Sequence, residues 1–224
     1  MSLILSIETA TTNCSVSLSK EGETFALKED YSNGYSHAER LHVFIEEILK
    51  ENNIDSTDID AVAVSKGPGS YTGLRIGVSA AKGLCYALNV PLISISTLES
   101  LAHQVKCLNG FIIPMLDARR MEVYSAVFDA NYLLVRDIEA EVLIAESYNS
   151  YLQKPVYFIG NGVEKTKALI TKENAFFIES KLPSSNEMSV LAYNKYKIGD
   201  FEDVAYFEPY YLKDFVALKP KSKN

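Results

Sequence analysis

Tryptophan is absent from this chain, histidine and cysteine occur three times each and proline seven times, and each scarcity excludes a class of protein. A zinc or iron centre needs imidazoles on one face, and His37 and His42, five positions apart, would point about 140° away from each other on a helix. His103 stands far from both, so no metal site is expected. Cys14, Cys85 and Cys107 are odd in number, widely spaced and set among apolar residues, which predicts reduced, buried thiols rather than a disulfide framework. Seven prolines and eleven glycines are too few for a linker-rich protein. No apolar run approaches the roughly 18 residues of a membrane helix. Met1 to Ile7 reaches Glu8 without a basic lead, so neither a signal nor a transit peptide is expected, and the cytoplasm is the expected compartment. No serine lies in a Gly-x-Ser-x-Gly elbow. A net charge of -7 disfavours unaided binding to a phosphate backbone. Lysines gather only after Tyr211, at Lys213, Lys219, Lys221 and Lys223, which reads as a solvated terminus.

What is present is ordinary globular composition, 47% apolar and 23% charged over 224 residues, enough for one large domain or two small ones. Leu3–Ile7, Cys14–Leu18 and Phe25–Leu27 read as three successive strands, the first two joined by the polar turn from Glu8 to Asn13. Ser36 with Glu39 predicts a capping box for a helix that buries Leu41, Phe44, Ile45, Ile48 and Leu49. Ala61–Val64 is a short buried strand. It feeds the run Gly67, Pro68, Gly69, Ser70, Tyr71, Thr72, Gly73, followed by a helix over about Leu74–Leu88. A glycine turn at a helix N-terminus converges backbone N–H groups on an anion. This one has neither a P-loop lysine nor dinucleotide spacing. Two readings stand at this point: a ligand loop, or a tight turn with Ser70 or Thr72 as helix cap.

In that helix Gly73, Gly77 and Ala81 fall four apart, with Ala80 beside them. Glycine inside a helix costs about 1 kcal/mol relative to alanine, so a close backbone contact must compensate. The spacing does not say whether the neighbour belongs to this chain or to a partner subunit.

The second half echoes the first. Phe111–Leu116 is a buried strand closed by Asp117, Ala118, Arg119 and Arg120, and Val123–Phe128 and Leu133–Val135 return as alternating strands. Val156–Ile159 then leads through Gly160, Asn161 and Gly162 into a helical segment, and Ser184 with Glu187 predicts a second capping box for a helix to about Lys197. Two duplicated α/β domains facing each other across a cleft would give this pattern.

Gly67–Gly77, with Ala81, Lys82 and Gly83 after it, resembles the signature of the TsaB (YeaZ) family. The likeness extends to Glu8, Thr9, Ala10 and Thr11, to Ser96–Glu99, to Asp117, Ala118, Arg119 with Glu122, Val123 and Tyr124, and to Tyr210, Tyr211 and Leu212. It is dense to about residue 125 and thin between Glu139 and Glu208. The family usually carries Asp where this chain has Glu8.

The resemblance implies an α/β fold of two tandem actin-like ATPase (ASKHA, ribonuclease H-like) domains with mixed sheets flanked by helices. The expected domains are residues 1–107, with the glycine segment and a helical dimer surface, and 108–224, whose last segment packs back on the first. It also implies a subunit of the machinery that makes threonylcarbamoyladenosine beside the tRNA anticodon. Such a subunit pairs with and activates the transferase TsaD, is joined by TsaE, meets tRNA only through the complex, and forms a homodimer when alone. TsaD-like proteins carry a His-Leu-Glu-Gly-His metal run where this chain has Thr97, Leu98, Glu99, Ser100 and Leu101. Threonine and leucine cannot replace two imidazoles at a transition metal, so a non-catalytic paralogue is expected. On this resemblance Leu41, Ile45, Gly73, Gly77, Ala80 and Ala81 are the expected partner surface. Glu8, Thr9, Thr11, Gly67, Gly69 and Asp117 are the expected remnant of a nucleotide site, with weak ATP or ADP binding and no required cofactor. The enzyme alternatives are a kinase of the same superfamily, with Glu8, Thr9, Thr11 and Thr12 on phosphates and Asp117 as base, and an M22-type metallopeptidase.

Overall fold

The computed structural model of the protein describes residues 2–31 and 37–213, so Ser36 and its expected cap lie outside the described residues, as do the last three lysines. Strands β1 (Leu3–Glu8), β2 (Cys14–Lys20) and β3 (Glu23–Asp30) form an antiparallel meander. Next to β1 lie β4 (Ala61–Gly67) and then β5 (Leu92–Ser96), both parallel to it, in the order β3-β2-β1-β4-β5. A second sheet of β6 (Phe111–Asp117), β7 (Glu122–Asp129), β8 (Leu134–Val142), β9 (Val156–Ile159) and β10 (Ala175–Ile178) repeats that order and those directions. The echo in the sequence is therefore a repeat of topology, and the fold is α/β with two mixed, ribonuclease H-like sheets.

The side chains of each strand alternate between two helical layers. Leu3, Leu5, Ile7, Val62 and Val64 pack against α1 (His37–Glu51) and α2 (Tyr71–Leu88). Ile4, Ala61, Ala63 and Ile93 point the other way, to Met188 and Ala192 of α5 (Ser185–Ile198). On the second sheet Ile112, Leu116, Ala126 and Ile159 meet Leu98, Leu101 and Ala102 of α3 (Thr97–Ala102). Its other face is covered by α4 (Val163–Lys167) and the turns carrying Leu143, Tyr148 and Leu152. The inner helices are thus exchanged: α3 follows the first sheet but packs on the second, and α5 follows the second but packs on the first. Hydroxyl pairs seat α5, with Ser15 Oγ and Ser185 Oγ 2.7 Å apart, Ser17 Oγ donating to Ser185 O at 2.9 Å, and Thr24 Oγ1 2.7 Å from Ser189 Oγ.

After α5 the chain becomes a strap over residues 199–213. Glu202 pairs antiparallel with Leu92 on the free edge of β5, and Lys82 Nζ on α2 donates to Ala205 O and Phe207 O. Tyr210 N donates to Lys66 O at 2.7 Å. Covering an edge in this way removes a row of unpaired backbone groups from solvent. The strap and α5 therefore lie with the first sheet although they follow the second.

Several elements differ from expectation. Helix α2 begins at Tyr71 rather than Leu74, because Ser70 Oγ accepts from Gly73 N and so caps it. Ser184 Oγ accepts from Asn186 N, but Glu187 does not close a capping box; its carboxylate takes hydrogen bonds from Gln104 and Asn186. Strand β8 runs to Val142, far past Val135, the helical segment expected after Gly162 is the short α4, and β10 carries little sequence signal.

Candidate functional site

The ends of β1 and β6 converge with the Gly67–Gly73 segment and the end of the strap on a cleft of about 590 Å³. Thr11, Gly69 and Asp117 of the expected nucleotide set line it, together with Tyr71, Arg119, Tyr124, Asn161, Tyr210 and Tyr211. Glu8, Thr9 and Gly67 do not; each is buried and spent on holding the walls.

Glu8 ends β1 with no exposure, its Oε1 accepting from Ala10 N at 2.5 Å and from Ser65 Oγ at 2.8 Å. Among the described residues Oε2 has no hydrogen-bond partner. Burial pushes this carboxyl up to about 7, only partly offset by those hydrogen bonds. The β1–β2 turn is also fixed from outside, by His37 Nε2 donating to Thr11 O at 2.7 Å, and burial holds that imidazole below its usual range.

The glycine segment lies directly on this turn. Ser70 N donates to Ala10 O at 2.7 Å, and a Cβ on Gly69 would sit 2.5 Å from the same carbonyl oxygen. Gly67, at φ +107°, brings its α-carbon against Tyr210, whose carbonyl oxygen would be 2.8 Å from an added Cβ. On the opposite wall Asp117 Oδ1 accepts from Arg119 N at 2.6 Å and from Lys165 Nζ at 2.7 Å, while Asp117 N donates to Asn161 Oδ1 at 2.8 Å. Each acid of the expected site thus spends one carboxylate oxygen within the chain.

The expected partner surface needs correction. A Cβ at Gly73 would lie 2.1 Å from Thr9 O, and one at Gly77 2.2 Å from Thr9 Oγ1, which itself donates to Gly73 O. The stripe is therefore filled by the chain's own β1–β2 turn. Ala80 and Ala81 are buried in the core with Leu41 and Ile45, so none of the six presents a docking face. The exposed side of α2 carries Thr72, Arg75, Ser79, Gly83 and Tyr86. A Cβ at Gly83 would meet nothing within 4 Å. Among the described residues no contact explains a glycine there.

At the positions of the expected metal run, Thr97, Leu98 and Leu101 are fully buried, and the two leucines belong to the core under the second sheet. Among the described residues no group of three or more His, Cys, Asp or Glu side chains could hold an ion, and no helix is long and apolar enough to cross a membrane. The residues that sequence reasoning left without a role are Lys165, Asn161 and the cleft tyrosines. Asn161, between two glycines after β9, and Asp117 at the end of β6 are the signals in the second half that mark turns facing the cleft.

With this geometry, comparison with known proteins is informative. The family model for TsaD, tRNA N6-adenosine threonylcarbamoyltransferase, matches residues 33–221. The tRNA threonylcarbamoyladenosine biosynthesis protein TsaB of Escherichia coli is 32% identical over 96% of both chains, and that of Bacillus subtilis 32% identical over 75% of this chain and 74% of its own. Among solved structures, YeaZ from Pseudomonas aeruginosa superposes with a TM-score of 0.83 at 25% identity, covering 95% of this chain and all of its own. Identity at this level over nearly the whole length places the chain in the TsaB family of the TsaD-like proteins.

Proposed function

We propose that this chain serves tRNA threonylcarbamoyladenosine biosynthesis as a non-catalytic subunit that binds a TsaD-type transferase and activates it, within the cytoplasm and in company with TsaE. The observation that carries the reading is the fate of the metal-run positions: Thr97 and Leu101 are sealed in the core, where no imidazole pair could form a centre facing the cleft. The fold implies a magnesium nucleotide in the cleft, and the residues do not fit one. Glu8 is closed off under Ala10, Asp117 is ion-paired with Lys165, and the glycine segment rests on Ala10 O with no room for a phosphate between them. No cofactor is required in this reading, and the kinase and peptidase alternatives lose their acids and their metal.

Docking is assigned to the outer face of α2 around Gly83, in place of the buried stripe. Gly83→Ala should stabilise the isolated chain by about 1 kcal/mol through helix propensity alone. Gly83→Leu should leave its melting temperature unchanged or higher while abolishing co-elution with the transferase on size exclusion. A complex that survives Gly83→Leu would move the interface elsewhere.

The function itself is tested by reconstituting tRNA modification with the transferase, with and without this chain, beside an ATPase assay of the chain alone. A large gain in modification on adding the chain, and no turnover by it alone, is expected. Metal- or ATP-dependent turnover by the purified chain would overturn the reading.

A further inference from the structure

The β6–β7 turn is built at a cost that its own packing does not explain. Arg119 and Arg120 are successive non-glycine residues with left-handed backbones, φ +69° and +48°. Such conformations persist only when the surroundings over-determine them. Here Lys165, itself mostly buried, uses its ammonium on Asp117 Oδ1 at 2.7 Å, Arg120 O at 2.8 Å and Glu122 O at 3.0 Å. Arg119 N is held by Asp117, and Glu122 N donates to Arg119 O at 3.1 Å. All of this fixes the backbone. The two arginine side chains are exposed and, among the described residues, neither guanidinium has an ion-pair or hydrogen-bond partner.

The local charge follows. Asp117 is neutralised by Lys165, and Glu122 by Lys213 of the strap. Arg119 and Arg120 therefore remain as uncompensated positive charge on a protein whose net charge is -7. Arg119 lines the cleft with Tyr71, Tyr124, Tyr210 and Tyr211, the Tyr71 and Tyr211 centroids being 4.9 Å apart, and Arg120 follows it in the turn. Exposed cations carried on a fixed backbone, at the edge of a tyrosine-lined cleft, suit the phosphates and unstacked bases of a single-stranded segment.

We propose that the β6–β7 turn is an RNA-contacting element, in which Arg119 and Arg120 engage phosphates of an unpaired loop of the tRNA that the complex modifies. The inference rests on the function proposed above. It differs from the expectation that tRNA is met only through other subunits.

The test is steady-state modification by the reconstituted complex of this chain and the transferase, with Arg119→Asn and Arg120→Asn combined, asparagine being tolerant of left-handed backbone. The expected result is a KM for tRNA raised about tenfold at moderate salt, a salt dependence of tRNA binding shallower by about two in log–log slope, and kcat unchanged. Arg119→Lys with Arg120→Lys should restore most of the loss. Co-elution and melting temperature are measured alongside, and both should match wild type. An unchanged KM and salt slope would overturn the proposal. So would a loss confined to complex assembly, which would assign the turn to a protein neighbour. If the unsubstituted chain fails to raise modification at all, it is the proposed function that falls, and direct tRNA binding by the wild-type and Asn-substituted chains still decides the role of the turn.

Discussion

Glu8→Gln is expected to stabilise the fold by about 3 kcal/mol at pH 8 and by about 1 kcal/mol or less at pH 5. The carboxyl is fully buried, and its affinity for a proton rises from 4.5 to about 7, chiefly because burial penalises the charged form. A group whose folded value is raised contributes its full stability below the unfolded value and loses it as pH rises through the folded one. The protein therefore loses stability between about pH 4.5 and 7, and above that window it carries an ionised carboxylate in a dry site. Glutamine keeps the oxygen that accepts from Ala10 N and Ser65 Oγ and removes the charge. Urea denaturation of both proteins at several pH values measures the difference, and the acid-side titration of His37, common to both, cancels in it. A difference independent of pH would mean that Glu8 is not held neutral by its surroundings.

The first sheet was the most legible part of the molecule, because Leu3–Ile7 and Ala61–Val64 are buried on both faces and read as continuous apolar runs. Strand β8 was not, since an edge strand is protected by charge: Arg136, Asp137, Glu139 and Glu141 interrupt the alternation that would mark it. The seat of α5 was equally hidden. Ser15, Ser17, Ser185 and Ser189 read as polar surface in isolation, and only the tertiary fold makes them complementary across 2.7–2.9 Å contacts. In the cleft, Thr11, Gly69 and Asp117 were found because turns after buried strands announce themselves with glycine and acid. Lys165 on α4, Tyr124 on β7 and Tyr210 and Tyr211 on the strap have nothing in their local sequence that marks the side chain as facing the cleft, and their convergence depends on how the two sheets face each other.

The small-residue stripe is the instructive failure, and it leads to the second large effect: Gly73→Ala should destabilise the chain by about 3 kcal/mol, whereas the cost of Gly77→Ala should be reversible by a second change. Fourfold spacing identifies a helix face but not its neighbour, and the neighbour here is Thr9, 64 residues earlier than Gly73. At Gly73 an added Cβ would stand 2.1 Å from the Thr9 carbonyl oxygen, which is backbone and cannot rotate away. Either α2 or the β1–β2 turn must shift, and the turn is pinned by Glu8, Ser70 and His37. At Gly77 the obstacle is Thr9 Oγ1 at 2.2 Å, a side-chain atom. Thr9→Ala combined with Gly77→Ala should therefore recover most of the stability lost by Gly77→Ala alone, while Thr9→Ala with Gly73→Ala should recover none. A double-mutant cycle by chemical denaturation gives both coupling energies. If Gly73→Ala is tolerated, or if Thr9→Ala relieves it, the stripe does not rest on the turn as described and α2 regains its buried face as a docking surface. With the loss as expected, the helix that carries Gly83 is held from behind by the same turn that lines the cleft, so the docking face proposed above and the shape of the cleft share one rigid element.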